Sequence, residues 1–293
     1  MDYLDADVAY LLGLIAARGQ VMRSNGGYKL VLQFPHSYIQ TDSMNERHQL
    51  IASLTTIQNR IGGLTKDLPS INPGASSTDI TYEEPRYTLL FRDLKMLMGK
   101  ATGFENFEIP KYLYDESDDV KREFVRGFGD VAGNIRKSNA FFGGRNRVYL
   151  DILNVNWKLP TQLCHLLQDS LRAPVQTITW GHPNLRNSPN EKWTKREHQV
   201  KVFANEYLKI GFYIEHKQKE LIKLAGKKKM KGASFCDSKD TPMKRGQKHP
   251  DEKHADLPKE LRGKHFDSYR HICREIGCAR WQEFRKKQKR IIP

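Results

Sequence analysis

VKREFVRGFGDVAGNI, residues Val120–Ile135, decides the fold, because AYLLGLIAARGQV, residues Ala9–Val21, carries the same internal pattern 114 positions earlier. In each copy an apolar run meets a glycine followed by a large apolar residue, Gly13-Leu14 and Gly127-Phe128. Small residues follow, and then a closing glycine, Gly19 or Gly133, where the hydrophobic period changes. That order predicts helix, glycine turn and strand in both places. Gly13 and Ala17 lie one helical turn apart, as do Gly127 and Val131, so one face of each helix is nearly bare and another backbone can approach it. Two such helices are expected to pack against each other, and two copies imply two halves.

Working outward, each copy leads into the same order of elements. Asp5 or Asp7 can cap the first helix, whose apolar face runs through Val8, Leu11, Leu12 and Ile15. A strand over Gln20–Arg23, a turn at Ser24–Gly27 and the strand YKLVLQF follow, the last with Leu30, Leu32 and Phe34 inward and Lys29, Val31 and Gln33 outward. Helical spacing covers Asn45–Ile61, and short strands are expected at Thr78–Tyr82 and Tyr87–Phe91, with a short helix at Leu94–Met98. The second half offers a strand over Asn134–Lys137, a turn at Gly143-Gly144, and RVYLDILN, in which Val148, Leu150 and Ile152 face the core and Arg147, Tyr149 and Asp151 face out. A helix over Leu159–Leu171, the strands VQTITW and HQVKVFA, and a long helix over Asn205–Leu224 complete it.

These motifs carry a resemblance. Leu11–Gly19 (LLGLIAARG) and Val125–Gly133 (VRGFGDVAG) are similar to degenerate copies of the LAGLIDADG signature of the homing endonuclease superfamily. The stretch IPKYLYDESDDVKREFVRG from Ile109 resembles the approach to the second motif in its single-chain members. The resemblance runs from Asp7 to Leu224. It implies an α+β fold of two pseudo-symmetric αββαββ halves, residues 1–104 and 105–225, whose saddle-shaped antiparallel sheets lie under a central pair of motif helices, with a basic C-terminal extension over 226–293. It further implies double-stranded DNA along the concave sheet faces, read in the major groove by outward strand side chains. Arg or Lys pairs there with guanine, and Gln or Asn with adenine. The outward set holds Arg23, Lys29, Gln33, Arg136, Arg147, Gln176 and Lys201.

Composition agrees with a polyanionic partner. The chain of 293 residues has a formal net charge of +15, which favours nucleic acid. Residues 226–293 hold 20 Lys and Arg against 9 Asp and Glu, an excess of +11. The runs KKKMK (Lys227–Lys231) and FRKKQKR (Phe284–Arg290) are expected to touch phosphates without reading sequence. Cys236, His249, His254, His265, His271, Cys273 and Cys278 also fall in the extension, where a structural zinc is conceivable, although no CxxC spacing defines its ligands. Four cysteines are too few for a disulfide framework, and no apolar run or basic leader marks a membrane span or secretory signal. The expected location is the cytoplasm, at the nucleoid if the host is bacterial. A single chain supplying both halves is expected to act as a monomer.

The chemistry departs from the family. The resemblance places a metal-binding carboxylate just before each closing glycine, but those positions hold Arg18 and Ala132. Neither can ligate Mg2+. Arg18 instead offers a fixed positive charge, for a phosphate or for Asp130 across the helix pair. Asp130, at the earlier acidic position of the second motif, reads as a structural hydrogen-bonding group. Two functions from different classes follow: a sequence-specific DNA-binding protein without the inherited cleavage site, or a restriction or homing endonuclease whose Mg2+ site has moved to Asp130 and Asp151, with Glu83 and Glu84 as further candidates. RNA binding, as in maturases, is a weaker third.

Overall fold

A computed structural model describes residues 4–24, 27–39, 47–85, 88–135, 146–153, 156, 158–183 and 196–225. The first half runs α1 (Ala6–Arg18), β1 (Gly19–Ser24), β2 (Gly27–Pro35), α2 (His36–Ile39), α3 (Arg47–Gly62), β3 (Ser70–Pro73), β4 (Ser77–Glu84) and α4 (Leu89–Met98). The second runs α5 (Lys111–Asp115), α6 (Asp118–Ala132), β5 (Gly133–Asn134), β6 (Arg147–Leu153), α7 (Leu159–Cys164, continued by a wider π-type segment His165–Ser170), β7 (Val175–Pro183), β8 (Arg196–Phe203), α8 (Ala204–Tyr207) and α9 (Glu215–Ala225). Each half forms one antiparallel four-stranded sheet, in the orders β1-β2-β4-β3 and β5-β6-β8-β7. The second order repeats the first strand for strand, so the duplication visible in the motifs extends to sheet topology.

Both motif helices start on side-chain caps. The Asp5 carboxylate accepts the amides of Asp7 and Val8, and the Ser117 hydroxyl accepts that of Val120, satisfying donors that have no partner within a helix. The helices then meet at their glycines. A Cβ on Gly13 would lie 2.0 Å from the Phe124 carbonyl oxygen, and one on Gly127 would lie 2.2 Å from that of Tyr10. Two backbones in contact leave α1 buried from Val8 to Arg18. Arg60 fastens α3 across both helices, with ion pairs to Asp7 and Glu123 at 2.8 Å and its guanidinium 3.9 Å from the Tyr10 ring centroid. On the sheets, Leu30, Leu32, Phe34, Ile80, Val148, Leu150, Val200 and Val202 supply the core-facing side chains, each at most 1% exposed.

Three elements differ from the sequence reading. The strand expected over Tyr87–Phe91 is not formed by its described residues: α4 begins at Leu89, because Phe91, Leu94, Leu97 and Met98 bury one face at helical spacing, and Tyr87 lies outside the described residues. The missing edge strand is β3, whose SINP sequence carries a proline and little alternation. The long helix over 205–224 is two helices, interrupted where Gly211 takes φ +71, a conformation side chains avoid. Strand β5 is described only as Gly133–Asn134; Lys137 and the turn at Gly143-Gly144 lie outside the described residues.

Candidate nucleic-acid interface

Residues paired across antiparallel strands share a face, so the registers fix what each sheet presents on the side opposite the core. On the first sheet the rows are Met22, Lys29 and Glu83; Gln20, Val31, Thr81 and Ser70; and Gln33, Asp79 and Asn72. Lys29 Nζ lies 3.6 Å from Glu83, which also accepts the Ser24 hydroxyl, and Asn72 Nδ2 donates to Thr81 Oγ1 at 2.9 Å. Lys29 and Gln33 therefore stand where they were expected. Arg23 does not: it pairs with Tyr28, which follows the parity of Leu30 and Phe34, so Arg23 extends from the opposite face at the sheet's end. A strand has period two, and a one-residue offset between hairpin arms exchanges faces.

On the second sheet the same face carries Arg147 opposite Phe203, Tyr149 opposite Lys201, Asp151 opposite Gln199, and Leu153 opposite Glu197. Arg147 Nη2 donates to the Tyr149 hydroxyl at 2.9 Å, and the Arg147 guanidinium and Lys201 Nζ lie 5.3 and 5.1 Å from the Tyr149 ring centroid, within cation–π range. Burial, and then the neighbouring Arg147 charge, lower the Lys201 pKa to about 8, with Asp151 opposing. Gln176 lies in β7 at a shift of register between Val175 and Thr177, and nothing is described of its side chain. Arg136 lies outside the described residues.

The seam between the halves is charged and closed. Arg18, the last residue of α1, donates from Nη2 to Glu197 Oε1 at 3.0 Å and from Nη1 to the Ala17 carbonyl at 2.7 Å. The Tyr38 hydroxyl lies 2.6 and 2.7 Å from the two Glu197 oxygens, and its ring is 5.7 Å from the Arg18 guanidinium. Burial raises the Tyr38 pKa, and the charges of Asp151 and Glu197 raise it further. Asp151 thus belongs to the outward face by parity, yet it is 0% exposed. Tyr38 and Glu197 went unread in the sequence: one follows a strand, the other sits at the end of one, and neither belongs to a motif.

Asp130 plays another part. It is fully buried and accepts the Tyr10 hydroxyl at 2.7 Å and the amides of Tyr213 and Ile214 at 3.1 and 3.3 Å. Beside it, Lys217 Nζ donates to the carbonyls of Gly129, Asp130 and Gly133 at 2.7, 3.0 and 2.8 Å, closing the end of α6. Asp130 is therefore turned toward the segment before α9. It meets neither Asp151 nor Arg18, whose carboxylate partner is Glu197.

Arg18 and Ala132, where the resemblance would place metal ligands, do not fit a divalent cation: Arg18 is itself a cation engaged with Glu197, and Ala132 is a buried methyl group. Among the described residues no group of three or more His, Cys, Asp and Glu is placed to hold a metal ion. The cysteines and histidines of the extension lie outside the described residues. Among the described residues, no helix is long and apolar enough to cross a membrane.

No protein-family model matches the chain, and a search of curated proteins finds no match. Among solved structures, the chain is similar to a variant of I-DmoI in complex with its target DNA and manganese, at 14% identity over 71% of this chain and 92% of that one, with a TM-score of 0.42. It is also similar to mesophilic variants of the homing endonuclease I-DmoI, at 17% identity over 70% and 87% with a TM-score of 0.41. A third is the N-terminal LAGLIDADG domain of WhiA, at 15% identity over 77% and 83% with a TM-score of 0.40. The LAGLIDADG-like fold of this chain is evident from its own paired glycine helices and duplicated sheets.

Proposed function

We propose that the protein binds duplex DNA along the outward faces of its two sheets, reads sequence there, and does not cleave through its motif helices. The observation that carries this reading is the Arg18–Glu197 pair. It puts a guanidinium where the LAGLIDADG resemblance would put the first metal-binding carboxylate, with Ala132 at the second, while the sheets beside it keep faces of amide, hydroxyl and charged groups. A sheet ribbon fits the major groove. Lys29 and Gln33 on the first sheet, and Arg147 and Lys201 on the second, are the direct readers; the extension supplies positive charge toward phosphates, whereas Arg18 is buried against Glu197. One chain provides both halves, so it binds as a monomer, in the cytoplasm or at the nucleoid.

Selection on random duplex DNA, followed by incubation of the enriched site with Mg2+ or Mn2+, tests the proposal. Enrichment without cutting supports it, and absence of enrichment overturns it. One observation favours an endonuclease as a second reading: Asp151 and Glu197 both bear electrostatically on Tyr38, so two carboxylates of the second sheet stand close together beside α1. Specific cutting would pass the function to them.

A further inference from the structure

The row Asn72, Asp79 and Gln33 crosses three adjacent strands, β3, β4 and β2, on the outward face of the first sheet. Asp79 is out of place on a surface meant for a polyanion. Glu83, the other carboxylate of this face, is offset by Lys29 and the Ser24 hydroxyl, whereas Asp79 makes no ion pair among the described residues. Its Oδ1 is shut from solvent and has no hydrogen-bond donor among them. Burial alone raises its pKa. A carboxylate that lacks a donor among the described residues and lies on the outward face is suited to a donor on the ligand, and the base edge that presents only a donor in the major groove is the exocyclic amine of cytosine. Its terminal torsion is soft, so either oxygen can turn to the face.

We propose that Asp79 selects cytosine in the half-site bound by the first sheet, with Gln33 and Asn72 beside it selecting adenine. The inference rests on the DNA-binding reading and deepens it. The geometry is commensurate: three strands about 4.8 Å apart span roughly 10 Å, inside a groove about 12 Å wide. The row thus crosses the groove, and its three side chains meet neighbouring base pairs. Successive outward residues on a strand are about 6.6 Å apart, close to two base-pair rises of about 3.4 Å. Lys29, two such steps from Gln33, therefore meets a base pair about four positions away. The two halves then favour different chemistry, since the second sheet offers Arg147 and Lys201 for guanine.

The test is selection on random duplex DNA with the full-length chain and with Asp79→Asn, Asp79→Ala and Gln33→Ala. The expected result is a cytosine preference that falls about fivefold or more in Asp79→Ala and shifts toward adenine in Asp79→Asn, whose amide both donates and accepts. Gln33→Ala should change the same or the adjacent position. Enrichment of one and the same site by the wild type and both Asp79 variants overturns this inference and leaves DNA binding standing. No enriched site for the wild type overturns both. Asp79→Asn keeps shape and hydrogen-bonding capacity, so its folded state, checked by circular dichroism, separates loss of selectivity from loss of fold.

Discussion

Arg18 Nη2 and Glu197 Oε1 are 3.0 Å apart, with both side chains only 7% exposed, and join the end of the first motif helix to a strand of the other half. Taking two charges out of water is costly, and only their mutual attraction and further hydrogen bonds, here from Tyr38 and the Ala17 carbonyl, offset it.

Removing one partner leaves the other buried without this counter-charge. Arg18→Met or Glu197→Gln should each destabilise the protein by about 3–5 kcal/mol, while the double substitution should cost far less than the sum. Denaturant unfolding of the four proteins gives the coupling. Additive losses would mean that the two side chains are energetically independent.

The helix pair depends on the absence of two Cβ atoms. Gly13→Ala and Gly127→Ala should each cost about 3 kcal/mol or more, at the upper end of overpacking, because the obstructing atoms are backbone carbonyls that no rotamer change can move. Thermal unfolding reads the loss. Gly63→Ala, where the nearest atom would be 3.3 Å away, serves as the mild comparison.

Lys201 makes DNA affinity depend on pH. Its folded pKa of about 8 lies below the ordinary 10.5, so the free protein loses this charge as pH rises through 8. A phosphate or guanine contact favours the protonated form, so binding takes up a proton above pH 8. Affinity should be flat below that pH and fall above it by up to about tenfold per unit. Stability moves the other way: between about 8 and 10.5 the unfolded chain holds the extra proton, so the Lys201 contribution to stability rises with pH. Titrating binding in wild type and Lys201→Arg, which keeps its charge, should show the fall in the first and none in the second.

The extension carries +11 of the net charge. Deleting residues 227–293 should weaken binding to all duplexes alike and reduce the slope of log affinity against log salt, while the order of preference among sites survives. A changed preference at unchanged slope would mean that the extension reads bases.

What the sequence revealed follows from what its patterns encode. The glycines of the motif helices have a spacing that only close backbone approach explains, so Gly13 and Gly127 announced the helix pair and, through it, the two sheets. Strand parity placed Lys29, Gln33, Arg147 and Lys201 on one face, because each alternates with buried neighbours in its own strand. Arg23 failed because its strand is short and polar, and its parity comes from the register with Tyr28. Asp151 was assigned correctly to the outward face, but its burial by elements distant in sequence left no local trace. Glu197 and Tyr38 meet only in three dimensions, 159 positions apart. Tyr87 through Phe91 reads as a strand in sequence because threonine and aromatics favour one; burial of Phe91, Leu94 and Leu97 on one helical face makes a helix from Leu89 instead.

The central claim is binding without cleavage by the motif helices, and the direct measurement is incubation of the selected duplex with Mg2+ or Mn2+ in the presence of wild type, Asp130→Asn, Asp151→Asn and Glu197→Gln. The account expects a retained complex and intact strands with the wild type. It expects Asp130→Asn to lower stability through the lost contacts to Tyr10 and Tyr213 without altering any strand-cutting readout. Cutting at the selected site by the wild type, abolished by Asp151→Asn or Glu197→Gln, would contradict it and assign catalysis to the carboxylates of the second sheet.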